Sequence, residues 1–283
     1  MIDLHTHSTY SDGTLTPSEL VKKAAGIDGL TAIALTDHNT TDGLNEFQRA
    51  GKKYGIKTVS GIEFSTEAYN HNFHVLALFV DENKYGEVND FLSIPIKEKI
   101  ESNKDLVKNL NTAGINIDYD TIVKKYGNEK FNRVAIANEL IDLGFADSIQ
   151  TAFEKYLLKR NGFYNPSPKP NTFETIKFIK QIGCAAVLAH GLKKSNEILI
   201  DDLEKRILPC AKKCGLDGME VMHPSYNEQE HKMALRFAKQ FDLIETGGSD
   251  FHGKNKPDIE LAYGKHGEIK VADNILTALE KRR

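Results

Sequence analysis

The chain has no apolar run approaching the roughly 20 residues that cross a bilayer, so no membrane-spanning helix is expected. No basic segment leading into an apolar core opens it, and so no secretory leader is read. Cysteine is scarce. Cys184, Cys210 and Cys214 are an odd set and a poor disulfide framework. Cys210 and Cys214 stand one helical turn apart, with no second Cys or His pair nearby to complete a structural zinc site. These features point to the cytoplasm. Long basic runs are also missing, and the formal net charge is −3, which argues against a duplex-DNA-binding surface. No internal repeat or low-complexity segment occurs. A small anionic partner would have to find positive charge locally, and bound metal ions can supply it even in an acidic protein.

What is present is ordinary globular composition: 283 residues, 40% hydrophobic and 27% charged. That length suits one large domain, or one domain with an insertion. Short apolar runs recur, each leading into polar residues. Met1–Thr6 carries His5 and His7, which share a face if the segment is a strand. Thr31–Leu35 runs into Asp37 and His38, Thr58–Ile62 into Glu63, Ala185–Ala189 into His190, and Gly218–Met222 into His223. Leu243–Thr246 leads through Gly247 and Gly248 to Asp250 and His252. Helical stretches lie between several of these: Ser18–Ala25 after Thr16-Pro17, Leu44–Tyr54 before Gly55, Thr172–Ile182 before Gly183, and Asn227–Phe241. Such alternation implies a parallel sheet or barrel, with reactive residues at strand C-terminal ends.

One connection breaks this rhythm. Glu63 to His74 is too short for a helical crossover. A hairpin is expected instead, bringing His74, at the start of the run Val75–Val80, beside Glu63.

From about Ser93 to Asn165 the pattern turns helical. Expected helices are Glu98–Ala113, Tyr119–Tyr126 and Arg133–Leu143, each followed by a glycine, and one capped by Asp147 that runs through Leu158. Pro166, Pro168 and Pro170 punctuate the return. Residues 1–92 and 166–283 are therefore expected to form the main domain, with 93–165 a helical insertion compatible with a lid.

The chemistry-bearing candidates are His5, His7, Asp12, His38, Glu63, His74, His190, His223, Asp250 and His252. Seven of the ten histidines flank strand-like runs; His71, His231 and His266 lack that context. Imidazole and carboxylate without thiolate suit zinc, manganese or iron. So many ligands exceed one tetrahedral ion and imply two or three metals, with Glu63 a natural bridge. Clustered metals suit attack on phosphorus by a bound hydroxide. Asp37 is read equally as orienting a ligand or capping the following turn. Asp3 and Glu220 are read as structural or supporting.

At these residues the chain resembles the PHP (polymerase and histidinol phosphatase) family. The matching segments are Asp3-Leu4-His5-Thr6-His7-Ser8, Ser11-Asp12-Gly13, Thr36-Asp37-His38-Asn39, Gly61-Ile62-Glu63, His74-Val75-Leu76, Ala189-His190 and Gly248-Ser249-Asp250-Phe251-His252-Gly253. The resemblance implies an α/β fold, a distorted (β/α)7 TIM-like barrel, with a trinuclear metal site. Carried across, one metal takes His5, His7, Glu63 and Asp250. A second takes Asp12, His38 and His252, and a third takes Glu63, His74 and His190. Manganese, iron or zinc are the expected metals, with magnesium also admissible.

Within the family the chain looks closest to bacterial phosphoesterases acting on nucleotides, which carry a helical insertion in the same place. The implied substrate is a small phosphorylated molecule, most simply a nucleoside 5′-monophosphate or a 3′,5′-bisphosphate. Alternatives are short RNA cut by a 5′–3′ exoribonuclease, histidinol phosphate, or a non-catalytic metal-binding module. Such relatives read Gly-Arg-Pro-His where this chain has Asn132-Arg133-Val134-Ala135, and Ala-His-Pro where it has Ala189-His190-Gly191. The arginine stays and a histidine goes, which tilts the expectation toward a monophosphate. Arg133, Arg160 and Lys193 are candidate phosphate contacts. His223, followed by Ser225, is the candidate to bind the phosphate or protonate the leaving oxygen.

Overall fold

The structure, a computed structural model, describes residues 1–126, 131–192 and 199–283. It divides into two compact units, Met1–Asn89 with Lys169–Arg283, and Asp90–Pro168.

The first unit is built on a seven-stranded sheet in sequence order: β1 (Ile2–Asp3), β2 (Ala32–Leu35), β3 (Lys57–Ala68), β4 (His71–Leu78), β5 (Ala185–Ala189), β6 (Gly218–Met222) and β7 (Ile244–Gly247). Neighbours pair in parallel except around β4, which is antiparallel to both β3 and β5. The expected hairpin is therefore present. Its two turn residues, Tyr69 and Asn70, both have positive φ (51° and 65°), which matches the right-handed twist of the flanking strands. The parallel connections are helical, through Pro17–Ala25, Leu44–Tyr54, Leu208–Lys213 and Glu228–Gln240, and Thr172–Gln181 leads into β5; the helices expected from the sequence lie close to their expected limits. This is a distorted α/β barrel.

The expected strand Met1–Thr6 shortens to Ile2–Asp3. Beyond Asp3 the backbone is partnered by a loop: Asp250 N–H donates to His5 O at 2.9 Å and His7 N–H to Phe251 O at 3.0 Å. The loop after β7 thus links the two ends of the sheet, through a parallel bridge between Thr6 and Phe251.

One core cluster gathers small and branched side chains, among them Ala32, Val59, Leu76, Leu78 and Val187, with Leu276 and Leu279 from the C-terminal helix Asn274–Glu280 and Met222 of β6 packed against it. Side chains alternate faces along a strand. Val59 and Glu63 in β3 share a parity, as do His74, Leu76 and Leu78 in β4. The face that buries the core in one half of the strand carries Glu63 and His74 further along.

The second unit has its own core, including Leu106, Leu110, Ile122, Ile136, Leu140 and Leu157. The helix expected from Glu98 begins at Tyr85 and runs to Thr112 with Pro95 inside it. Proline removes one helical hydrogen bond but does not end this helix, and Ser93 Oγ donates back to Asp90 O one turn earlier. Ser148, rather than Asp147, caps the last helical stretch, its Oγ accepting from Thr151 N–H; after Ile149–Ala152 that stretch widens into a π-type turn over Phe153–Leu157. Among the described residues no helix is long and apolar enough to cross a membrane.

Candidate metal centre

The loops after the strands, together with the β3–β4 hairpin, bring nine of the sequence-selected residues together. His5 and His7 follow β1, Asp12 lies in the next loop, His38 follows β2, Glu63 and His74 are diagonal neighbours across the hairpin, His190 follows β5, and Asp250 and His252 follow β7. Ligand atoms converge in four overlapping groups: His7, Asp12, His38 and His252; His5, His7 and Asp250; His5, Glu63 and His190; and His38, Glu63 and His74. Glu63 is the hub. Its Oε1 lies 2.6 Å from His74 Nδ1 and 2.9 Å from His190 Nε2. Its Oε2 lies 3.0 Å from His38 Nδ1 and 3.2 Å from both His5 Nε2 and His7 Nε2.

Backbone strain and close approach hold these loops in place. Asn39, His190 and Asp250 all have positive φ (52°, 32° and 52°), unusual for residues with a Cβ and typical of functional sites. Gly248 lies so close to His5 that a Cβ there would overlap the histidine backbone and Cβ, and a Cβ on Gly13 would meet the His7 carbonyl.

The hydrogen bonds fix which ring nitrogens carry protons. His5 Nδ1 faces Glu220 Oε1 at 2.8 Å, and His252 Nδ1 faces the Asp250 carbonyl at 2.7 Å. Both partners are acceptors, so each ring holds its proton on Nδ1 and turns the Nε2 lone pair inward. Those lone pairs meet others. His5 Nε2 is 3.1 Å from His7 Nε2, and His252 Nε2 is 3.2 Å from Asp12 Oδ1. Lone pairs this close repel unless a cation stands between them, and Glu63 Oε2 is buried without a hydrogen bond among the described residues. The donor set fits metal ions.

The charges agree. Burial alone would push Glu63, Asp12 and Asp250 up, yet all three lie well below the usual carboxylate range. His38, His74 and His5 hold Glu63 there, His252 and His38 hold Asp12, and Lys256, His252 and His5 hold Asp250. Burial pushes His38 down, against the opposing pull of Glu63 and Asp12. Around His7 the surrounding Asp250, Glu63 and Asp12 outweigh burial and raise it to about 9, and Glu220, Glu63 and Asp250 raise His5 in the same way. Without metal, a proton on His7 takes the place of a cation.

His223 has the opposite tautomer. Ser225 N–H donates to its Nδ1 at 3.1 Å, so the ring proton sits on Nε2, which points 3.3 Å from Asp250 Oδ2. It presents a hydrogen toward the cluster where His5 and His252 present lone pairs.

A model of the PHP domain matches residues 3–163. The chain belongs to the PHP family. It is 30% identical over 279 residues, 99% of its length and 98% of the relative's, to a 5′-3′ exoribonuclease from Haemophilus influenzae. It is 32% identical over 254 residues, 89% of this chain and 87% of the other, to a 3′,5′-nucleoside bisphosphate phosphatase from Chromobacterium violaceum. Its fold superposes, with a TM-score of 0.90 and 29% identity, on a crystal structure described as a candidate metal-dependent phosphoesterase from Bifidobacterium adolescentis, covering 99% of this chain and 96% of that one. This PHP protein is a metal-dependent phosphoesterase.

The remaining sequence-selected residues lie elsewhere. Asp37 accepts from Ser8 N–H at 2.8 Å, Ser8 Oγ at 2.6 Å and Ser11 Oγ at 2.5 Å, so it holds the loop leading to Asp12 rather than capping its own turn. Arg133 belongs to the helical unit, where its guanidinium stacks 4.0 Å from the Tyr164 ring centroid and donates to Leu157 O. Arg160 is exposed in the same unit. Lys193 lies outside the described residues.

Sequence reasoning passed over Lys256, whose Nζ sits 2.6 Å from Asp250 Oδ2, and gave Glu220 only a supporting place. Glu220 also accepts from His190 N–H at 2.7 Å, so one carboxylate orders two of the loops. A signal was available for it: an acidic side chain in the middle of the buried strand β6 needs a partner.

Proposed function

We propose that this PHP protein hydrolyses phosphate monoesters of small nucleotides, a nucleoside 5′-monophosphate or 3′,5′-bisphosphate, with His5, His7, Asp12, His38, Glu63, His74, His190, Asp250 and His252 holding two or three metal ions. The observation that carries this is Glu63, whose two oxygens lie within 3.2 Å of five imidazole nitrogens. That is more donors than one ion takes, which supports a multinuclear centre. Imidazole and carboxylate donors favour manganese, iron or zinc. When bound, such ions supply an activated water and positive charge for the phosphoryl oxygens.

The chain's own groups supply the rest. Glu220 and the Asp250 carbonyl fix the His5 and His252 tautomers, and Asp37 steadies the loop that carries Asp12. His223, with its proton on Nε2 and Ser225 behind it, donates to the phosphoryl group or to the departing oxygen. Arg133 and Arg160 are carried forward as candidate phosphate contacts. Three free thiols support a reducing compartment, the cytoplasm.

A second reading, 5′–3′ exoribonuclease, is favoured by the H. influenzae relative, which aligns over 99% of this chain. The test is turnover of AMP, a 3′,5′-bisphosphate and a 5′-phosphorylated oligoribonucleotide by metal-analysed protein with manganese, beside His38→Ala. Release of phosphate from the mononucleotides, lowered at least about 100-fold in the variant, supports the phosphatase. Turnover of the oligonucleotide alone favours the second reading, and unchanged turnover in His38→Ala removes both.

A further inference from the structure

A cleft of about 290 Å³ opens beside the metal centre, between the loop after β6 and the segment following His252. His223 and Ser225 form one wall, and Lys256 and Ile259 line the other. Asp250 connects the cleft to the centre. Its Oδ1 faces His7 Nε2 at 3.5 Å and His5 Nε2 at 3.7 Å, while Oδ2 receives Lys256 Nζ at 2.6 Å and His223 Nε2 at 3.3 Å. A phosphoryl group held at the metal ligands therefore has this cleft next to it.

The lining suits the other half of a nucleotide. Pro224, Pro257 and Ile259 offer apolar surface to a sugar or base. The volume sits at the lower end of small-molecule sites, about 300–1,000 Å³, and takes one nucleoside rather than a run of them. Lys256 is half-buried where the cleft meets the centre. An ammonium has three donors, and the bond to Asp250 uses one.

We infer that this cleft receives the leaving group as a single nucleoside, and that Lys256 is a substrate-binding residue donating to a phosphoryl oxygen at its inner end. The inference rests on the nucleotide phosphatase reading above and adds to it where the nucleoside lies and which cation meets the phosphate.

Two variants test it on the metal-loaded protein. Lys256→Gln should raise KM for AMP and the inhibition constant for inorganic phosphate together, by about tenfold or more, as the loss of one charge-assisted hydrogen bond implies. Lys256→Arg should recover most of both. The chain contains no tryptophan, so Ile259→Trp places a single tryptophan, excited selectively beyond the tyrosine absorption, in the cleft wall. Its emission should change saturably with AMP and not with inorganic phosphate, and kcat/KM for AMP relative to p-nitrophenyl phosphate should shift by about tenfold. Wild-type turnover of AMP with KM and phosphate inhibition unmoved in Lys256→Gln, or Ile259→Trp emission blind to AMP, overturns the inference and leaves the phosphatase reading standing. Absence of AMP and p-nitrophenyl phosphate hydrolysis by the wild-type chain overturns both.

Discussion

Glu220 accepts a hydrogen bond from His5 at 2.8 Å, and through it β6 sets the tautomer of a histidine on the far side of the sheet order. The carboxylate keeps the His5 proton on Nδ1, so the Nε2 lone pair is committed to the centre. Its second oxygen holds the His190 backbone.

Glu220→Gln removes the charge and forces the amide to present an N–H to either His5 or His190. Metal affinity should fall by about 10- to 100-fold, the usual cost of losing such a supporting contact. Metal content after dialysis against a graded chelator series measures this, and wild-type retention would count against the role given to Glu220.

Metal loading should release protons. His7 is raised to about 9, so it is protonated at pH 7.5 in the metal-free chain, and Glu220, Glu63 and Asp250 raise His5 in the same direction. Their stabilisation is fully present below about 6.5, the unfolded value, and for His7 is lost as pH rises through about 9. Calorimetry in buffers of different ionisation enthalpy should find at least about one proton released per chain at pH 7.5, the share from His7 falling toward none by pH 10. Thermal melts of metal-free protein should lose stability over the same pH interval.

Arg133 is half-buried, stacked on Tyr164 and 5.3 Å from the Phe153 ring centroid. Arg133→Ala should destabilise the chain by about 1–2 kcal/mol through lost packing and cation–π attraction. Denaturant unfolding at fixed metal concentration reads this.

Gly248→Ala should cost activity without touching a ligand atom. The added methyl meets the His5 backbone and Cβ, which cannot yield without moving Nε2 from its partners. Steady-state turnover should drop sharply, while the far-UV circular dichroism stays as in the wild type.

Much of the fold and of the cluster is legible in the amino-acid sequence. His5-x-His7, the short step from Glu63 to His74, and the polar residues after successive apolar runs all point to one cluster, because strand periodicity and connection length are local properties. What escapes is non-local. β1 stops at Asp3 because a loop more than 240 residues away supplies its later hydrogen bonds. The helix beginning at Tyr85 runs through Pro95, where local propensity reads a break. Lys256 reads as an ordinary surface lysine, and only the folding of the loop after β7 brings it back onto Asp250. The opposed tautomers of His5 and His223 depend on Glu220 and Ser225, and no spacing rule carries that information.

The central claim is that several metal ions at this cluster drive hydrolysis of a nucleotide phosphate. Titrating manganese into metal-free protein while following phosphate release from AMP against ions bound per chain tests it most directly. The account predicts little turnover up to one ion and full turnover at two or three. Full turnover of the metal-free chain, or none with the cluster loaded, would contradict it.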